Sequence, residues 1–391
     1  MSAAKVYYIF IALINIGFAC TLTAYAPFLE SIGLTLGQIA LVNSIFWATI
    51  ILAELPTGML ADGKSRAWSL KAGTLSFVIG ATLYLFADDI VSASIAEIFI
   101  AIGEAFFTGA MTAWVTDALD REGKKDQVRK VFATNSIIRG SIFLVGGLVG
   151  SLIGIHNYQL IWLPFAISSL AAFFFAHKYM NGQGEPLETV TEIQAFKLSV
   201  ALLTKSRALI WVSAALIIFG AVVSFNHYWA LYFKPIVGQI GLGLYVWPLM
   251  SLGFIGSGMF VRRVKLSSGD EGKLITLSIL LSGVGLVMIA LVSGLPMLFS
   301  ALIIHELGRG MFVPLTDSFV QHRIHTSYRA TFGSLQSFIG RIGFAAVPFI
   351  VWLTLDGKPD STDTIEMVWL ICGVILLIGS LGLWFTRPRA K

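Results

Sequence analysis

The chain has 391 residues, 56% of them Ala, Val, Ile, Leu, Met, Phe, Trp, Tyr or Cys, and a mean hydropathy of +0.81. Charged residues make up 13%, against about 25% in an ordinary soluble domain, which excludes a water-soluble globule. The formal net charge is +5, and both cysteines, Cys20 and Cys372, lie in apolar runs, so neither a disulfide framework nor a thiolate zinc site is available.

In chain order, membrane spans are predicted near 6–28, 37–60, 69–87, 92–116, 131–154, 159–176, 208–232, 240–261, 274–293, 295–320, 330–354 and 367–386. A hydrocarbon core about 30 Å thick takes about 20 apolar residues per helix, so twelve spans use roughly 240 residues and leave no room for an appended soluble domain. The runs are continuous rather than alternating, which excludes a transmembrane barrel. The first run follows only MSAAK, but it is too long for a signal-peptide core, and Pro27 directly follows its one Ala-x-Ala match; it reads as a retained helix. Segment 177–207 is the longest connection and divides a six-helix bundle at 1–176 from another at 208–391. Its part from Val190 to Lys205 reads as an amphipathic helix on the inner surface.

Placing both termini in the cytoplasm puts 22 of the 27 basic residues on the inner side, two (Lys234 and Lys358) in outer loops and three inside spans. That bias obeys the positive-inside rule, and one helix more or fewer would invert everything downstream. The net positive charge is therefore a topology signal, and no nucleic-acid partner is expected. The expected location is a bacterial inner membrane, with the lipid bilayer as solvent and the protein a monomer.

A shift of about 200 residues aligns one half with the other. Gly17 and Tyr25 meet Gly220 and Tyr228, Gly37-Gln38-Ile39 meets Gly238-Gln239-Ile240, Thr116-Asp117 meets Thr316-Asp317, and Gly140 meets Gly340. Six spans return the chain to the same side, so the copies are parallel, related by an axis along the membrane normal. The inner loop after the second span reads Gly58-Met59-Leu60-Ala61-Asp62-Gly63-Lys64-Ser65-Arg66.

This duplicated layout and this loop resemble the major facilitator superfamily, whose pattern there is Gly-x-x-x-Asp-x-x-Gly-Arg-Arg/Lys. Gly58, Asp62 and Arg66 match; Ser65 replaces a glycine and Ala67 a basic residue. The resemblance implies an all-α membrane protein of two pseudo-symmetric six-helix bundles, with the first, fourth, seventh and tenth spans lining a central cavity. It also implies a cytoplasmic gate, in which Asp62 and Arg66 join Asp117 at the inner end of the fourth span. Gly58 would allow close helix approach there. In the second half Arg262 stands where an acid is expected, and its pairing with Asp317 would give a charge-swapped gate. The alternative is that these are ordinary solvated loop charges.

Ionisable groups inside spans are costly and are functional candidates by default. The acids are Glu54, Glu97, Glu104 and Glu306, and the bases Arg139, Arg309 and Arg341. Glu104 lies 13 residues from Asp117 and Glu306 lies 11 from Asp317, which puts both near mid-depth at about 1.5 Å per residue. Glu97, Glu104, Thr108 and Thr112 form one helical stripe expected to face the cavity. His305-Glu306-Leu307-Gly308-Arg309 resembles the start of a zincin HExxH, but Arg309 replaces the second histidine, so no metal is expected. Asn226 and His227, near the outer end of the seventh span, are further candidates. The competing account is mutual neutralisation, for example Glu306 with Arg309 or Glu54 with Arg139.

No catalytic or nucleotide-binding spacing is present, so neither an enzyme nor a cofactor is expected. The leading expectation is a secondary transporter working by alternating access, coupled to protons through Glu104 or Glu306 and exporting an amphiphilic organic molecule. Charges of both signs, 29 Phe and 10 Trp favour that solute. Against it, drug–proton antiporters of the resembled family carry a basic residue in the fourth span and a Gly-Pro signature in the fifth, and both are missing. The alternatives are proton-coupled uptake of a polar or anionic solute held by Arg139, Arg309 and Arg341, or a lipid flippase.

Overall fold

A computed structural model describes residues 1–63, 65–107, 110–181, 201, 203–204, 206–263, 271–321, 323, 329–355 and 358–388. Helix dominates throughout. Ten stretches of the described residues are long and apolar enough to cross a bilayer. One of them, Arg207–Val261, runs for 55 residues and folds as two spans. Helix Arg66–Leu85, at the place of the third predicted span, makes the set up to twelve.

The first span is two helices, α1 (Ala3–Thr21) and α2 (Tyr25–Ser31). Pro27 explains the break: it has no N–H to give the carbonyl of Thr23. That carbonyl accepts instead from Gln239 Nε2 at 3.3 Å. The Thr23 hydroxyl donates to the carbonyl of Gly147 at 2.7 Å, which ties the elbow down. Helices α3 (Leu36–Gly63) and α4 (Arg66–Leu85) follow, the latter capped by the Ser65 hydroxyl accepting from the Trp68 amide at 3.0 Å. Asp89 caps the fourth span by accepting from the Ser92 amide at 2.7 Å, while the Ser92 hydroxyl donates to the same carboxylate at 2.6 Å. The hydroxyl bond first, and the amide second, hold the Asp89 carboxyl below the usual range. That span comprises α5 (Ile90–Phe107) and α6 (Ala110–Arg121). The fifth and sixth are α7 (Val128–His156) and α8 (Trp162–Tyr179).

The seventh span is α9 (Arg207–Phe219), a 3-10 turn at Gly220–Val222, and α10 (Val223–Gly241). Helix α10 runs past the expected end of its span, carrying Pro235 and a break at Gly238, where φ is 73° and only glycine is unstrained. A π-helical turn at Leu242–Val246 leads to α11 (Trp247–Arg263). Then come α12 (Glu271–Leu291), α13 (Leu295–Gln321), α14 (Arg329–Leu355) and α15 (Thr362–Thr386).

The chain forms two compact units. The first holds Met1–Glu192 and, from much later in the chain, Phe233–Leu244. In it α1 packs on α7 and α8, α3 on α5, and α4 on α5 and α8. Small residues set the α1–α7 distance: a side chain at Gly150 would run into the Cys20 carbonyl oxygen. The late segment is bound by Lys234 donating to Glu30 at 2.5 Å and by Tyr158 donating to Gln239 at 3.0 Å. The second unit holds Ile193–Tyr232 and Tyr245–Lys391. There α12 packs on α13 and α15, α11 on α13, and α9 on α14. Gly308 lies against Ser282 and Gly285 against His305, so α12 and α13 approach closely. Large side chains such as Leu52, Phe86 and Phe385 are 76–83% exposed, as a bilayer permits.

Candidate proton and solute site

Arg309 organises the second unit's site. It lies one helical turn after Glu306 on α13, and its Nε and Nη2 donate to one Glu306 oxygen at 3.0 and 2.7 Å. Its Nη1 donates to the Asn226 side-chain oxygen on α10 at 2.5 Å. Glu306 is fully buried, while the Arg309 side chain keeps 21% exposure and Asn226 is exposed. The second Glu306 oxygen is buried and makes no hydrogen bond among the described residues. Gly253 on α11 makes room, since a side chain there would meet Glu306 Cβ at 2.6 Å. The site thus grades from a buried acid, through a guanidinium, to an accessible amide.

The other candidates of this unit lie elsewhere. His305 turns into the α12–α13 contact, where Nδ1 donates to the Ser282 carbonyl at 2.9 Å and the ring packs on Phe225 with centroids 4.6 Å apart. His227 is buried against Tyr228. Arg341 is half-buried on α14, and Asp317 is exposed on α13.

In the first unit, Glu54 and Glu104 are half-buried on α3 and α5, and Arg139 is exposed on α7 with its guanidinium 4.9 Å from the Phe143 ring centroid. The two ends of the expected Glu97–Thr112 stripe differ in burial. Thr112 is exposed, but Glu97 is 5% exposed and turned into the bundle, where it accepts from the Tyr84 hydroxyl. Thr108 lies outside the described residues.

Of the expected gate, Arg66 donates to Asp117, joining the start of α4 to the last turns of α6. Gly58 lies within α3, and the side chains of Asp62 and Arg262 lie outside the described residues. The second unit contains a charge-swapped pair that sequence reading misses. Glu271, the first residue of α12, accepts from Arg323, just past α13, at 2.7 Å and from Ser318 at 3.2 Å. Along the sequence both are ordinary inner-loop charges. The signal available is that Glu271 opens one span with an acid where Arg66 opens the matching span with a base.

Apolar helices long enough to cross a bilayer, with an acid and a base paired inside one of them, define a polytopic membrane protein. Residues 7–348 match the Major Facilitator Superfamily, and the chain belongs to that family. It is a secondary transporter and an integral multi-pass membrane protein that takes a small-molecule substrate. Among solved structures it is similar to the nucleoside transporter NupG, at 14% identity and a TM-score of 0.82, covering 99% of this chain and 99% of that one. It is also similar to a D-xylose–proton symporter, at 13% identity and a TM-score of 0.76, covering 99% and 98%. A POT family transporter in complex with a thioalcohol-conjugated peptide is similar at 13% identity and a TM-score of 0.72, covering 98% and 95%. No curated protein matches the chain.

Proposed function

We propose that this transporter is coupled to protons, that proton and solute meet at Glu306, Arg309 and Asn226, and that the solute is polar or anionic. The observation that carries this is Arg309, held by Glu306 through two N–H groups and by Asn226 through a third. While Glu306 is ionised, its attraction occupies the guanidinium. When Glu306 takes a proton, Arg309 loses that partner and offers its forked donors to an acceptor on the solute. Proton and anionic solute then favour each other's binding, and the coupling is reciprocal. Such co-binding is symport, which makes uptake the direction.

Export of an amphiphile by antiport would require a solute to displace the proton from Glu306, at a carboxylate that Arg309 already covers. The aromatic richness that favoured an amphiphile is spent on packing. Phe219 stacks on Phe312 at 3.7 Å between centroids, and Trp114, Trp211 and Trp369 are buried with their indole N–H groups on backbone carbonyls. Two of the similar structures belong to proteins named for nucleosides and D-xylose, which supports a polar solute. The gate reading continues with Arg66–Asp117 and Glu271–Arg323 as ties at the cytoplasmic face, and with both termini on that side of a monomer, as the basic residues indicate.

The test uses purified protein in liposomes with an internal pH indicator, offered organic anions, sugars, nucleosides and peptides in turn. An inward gradient of one such compound should acidify the lumen, and Glu306→Gln should abolish the acidification. A lipophilic compound that instead alkalinises an acid-loaded lumen, dependent on Glu306, would establish antiport and overturn the proposal.

A further inference from the structure

The first unit holds a buried carboxyl group that the Glu306 site does not use. Glu97 sits two turns into α5, 5% exposed, and its Oε2 accepts from the Tyr84 hydroxyl of α4. The Tyr25 hydroxyl of α2 lies beside the same carboxyl, buried and, among the described residues, without a hydrogen bond of full geometry. Trp162 of α8 stacks on Tyr84 with centroids 4.0 Å apart, Phe28 packs edge-on to both, and the Trp162 indole N–H is buried without a partner. Tyr84 and Tyr25 are the titratable groups that face Glu97 from the packed helices, and among the described residues no charged group faces it.

A carboxylate enclosed by aromatic rings, with no cation, is unfavourable in a low-dielectric interior; the neutral acid is not. We infer that Glu97 is a second proton-binding site, occupied when this aromatic box is closed and emptied only when the box opens to water. The protonated acid accepts from Tyr84 and has an O–H to give the oxygen of Tyr25. Loss of the proton requires hydration, and hydration requires α2 to move.

The consequence reaches segment 233–244 through α2. Tyr25 is its first residue, and Glu30, near its end, holds Lys234 at 2.5 Å. Gln239 of the same segment is bound to Thr23, two residues before Tyr25. Segment 233–244 is thus fastened to a helix whose seat includes the Glu97 carboxyl. Proton loss at Glu97 should loosen that segment, and proton binding should fasten it.

Two measurements on the full-length purified protein test this without any substrate. Infrared difference spectra should contain the carbonyl band of a protonated carboxylic acid near neutral pH, lost in Glu97→Gln and kept in Glu306→Gln. An Ile236→Cys probe, at a site 41% exposed in segment 233–244, is then labelled by a thiol reagent across neutral pH, with and without Glu97→Gln. The ratio of the two rates cancels the thiol's own titration. It should rise severalfold with pH, because the wild-type acid empties while glutamine cannot. Tyr25→Phe, which keeps the carboxyl, should retain the band and shift the pH at which labelling rises. A wild-type spectrum with no band that Glu97→Gln removes would overturn the inference, as would a rate ratio flat with pH. The inference presupposes proton coupling only for its use in transport, and the two readings fail separately. Loss of solute-driven acidification in Glu306→Gln alone, with no Glu97 band, sustains the proposed function and sinks this one.

Discussion

Glu271 and Arg323 bind each other at 2.7 Å, with the Glu271 carboxylate 1% exposed and the Arg323 side chain 22% exposed. The pair joins the first residue of α12 to the chain just beyond α13, and Ser318 adds a second donor. Removing one member of a buried pair weakens the compensation of the other's charge, at a cost of up to about 3 kcal/mol. Arg323→Ala should therefore lower the thermal midpoint in detergent by several degrees, and the exchange Glu271→Arg with Arg323→Glu should recover part of the loss. No recovery in the double variant would indicate that the site reads the individual side chains rather than the pair.

The Arg66–Asp117 contact makes the same kind of join with the charges reversed. Its side chains keep 16% and 19% exposure, so its share of stability is smaller, about 1 kcal/mol. If it works as a gate, Asp117→Asn should slow turnover severalfold in liposomes while solute affinity stays within about twofold. Asp62→Asn should act in the same direction. Unchanged turnover in both variants would leave the contact a structural tie.

Packing predicts a contrast between two glycines of α7. A Cβ at Gly150 would overlap the Cys20 carbonyl oxygen, whereas one at Gly140 meets nothing within 4 Å. Backbone cannot yield as a side-chain end can, so Gly150→Val should cost upwards of about 2 kcal/mol and reduce the folded yield. Gly140→Ala should be neutral or slightly stabilising, because alanine is the better helix former. The check is monodisperse yield after size-exclusion chromatography.

Glu122 gives a prediction with a pH sign. Its carboxylate accepts from Lys124 at 2.9 Å and from the Ala3 amide at 2.6 Å, where it serves as a cap for α1 from 119 residues away. The Lys124 bond first, and the Ala3 amide second, hold the group below the usual carboxylate range. A depressed acid stabilises the fold above its unfolded value and loses that contribution as pH falls through the folded one. Glu122→Gln should therefore lower stability at neutral pH, and the difference from wild type should begin to shrink as pH falls below the ordinary glutamate value of about 4.3. A difference that persists in acid would mean the carboxylate's charge is not what caps the helix.

The spans were legible in the sequence because apolar length is a local property. Among the described residues each predicted stretch corresponds to helix, with most ends displaced by a few residues and the seventh running on to Gly241. What escaped were the breaks. Pro27 could be seen, but not that Gln239, 212 residues later, would take the carbonyl it orphans. The Glu306–Arg309 pair was readable because one helical turn separates its members. The Glu271–Arg323, Tyr84–Glu97 and Glu30–Lys234 contacts were not, since their members lie on different helices.

The sequence by itself determined the solvent, the helical class and the sidedness expected from its basic residues, since hydrophobic length and loop charge act on each segment separately. Only the tertiary structure decided which buried charges meet. Glu97 and Glu104 occupy one helix seven residues apart, yet Glu97 is enclosed by rings from three neighbouring helices while Glu104 is half-exposed. The two share a helix face, so the neighbours packed at each depth along the helix fix that difference. In a low-dielectric interior, a carboxyl group's chemistry follows from the neighbours that packing brings to it.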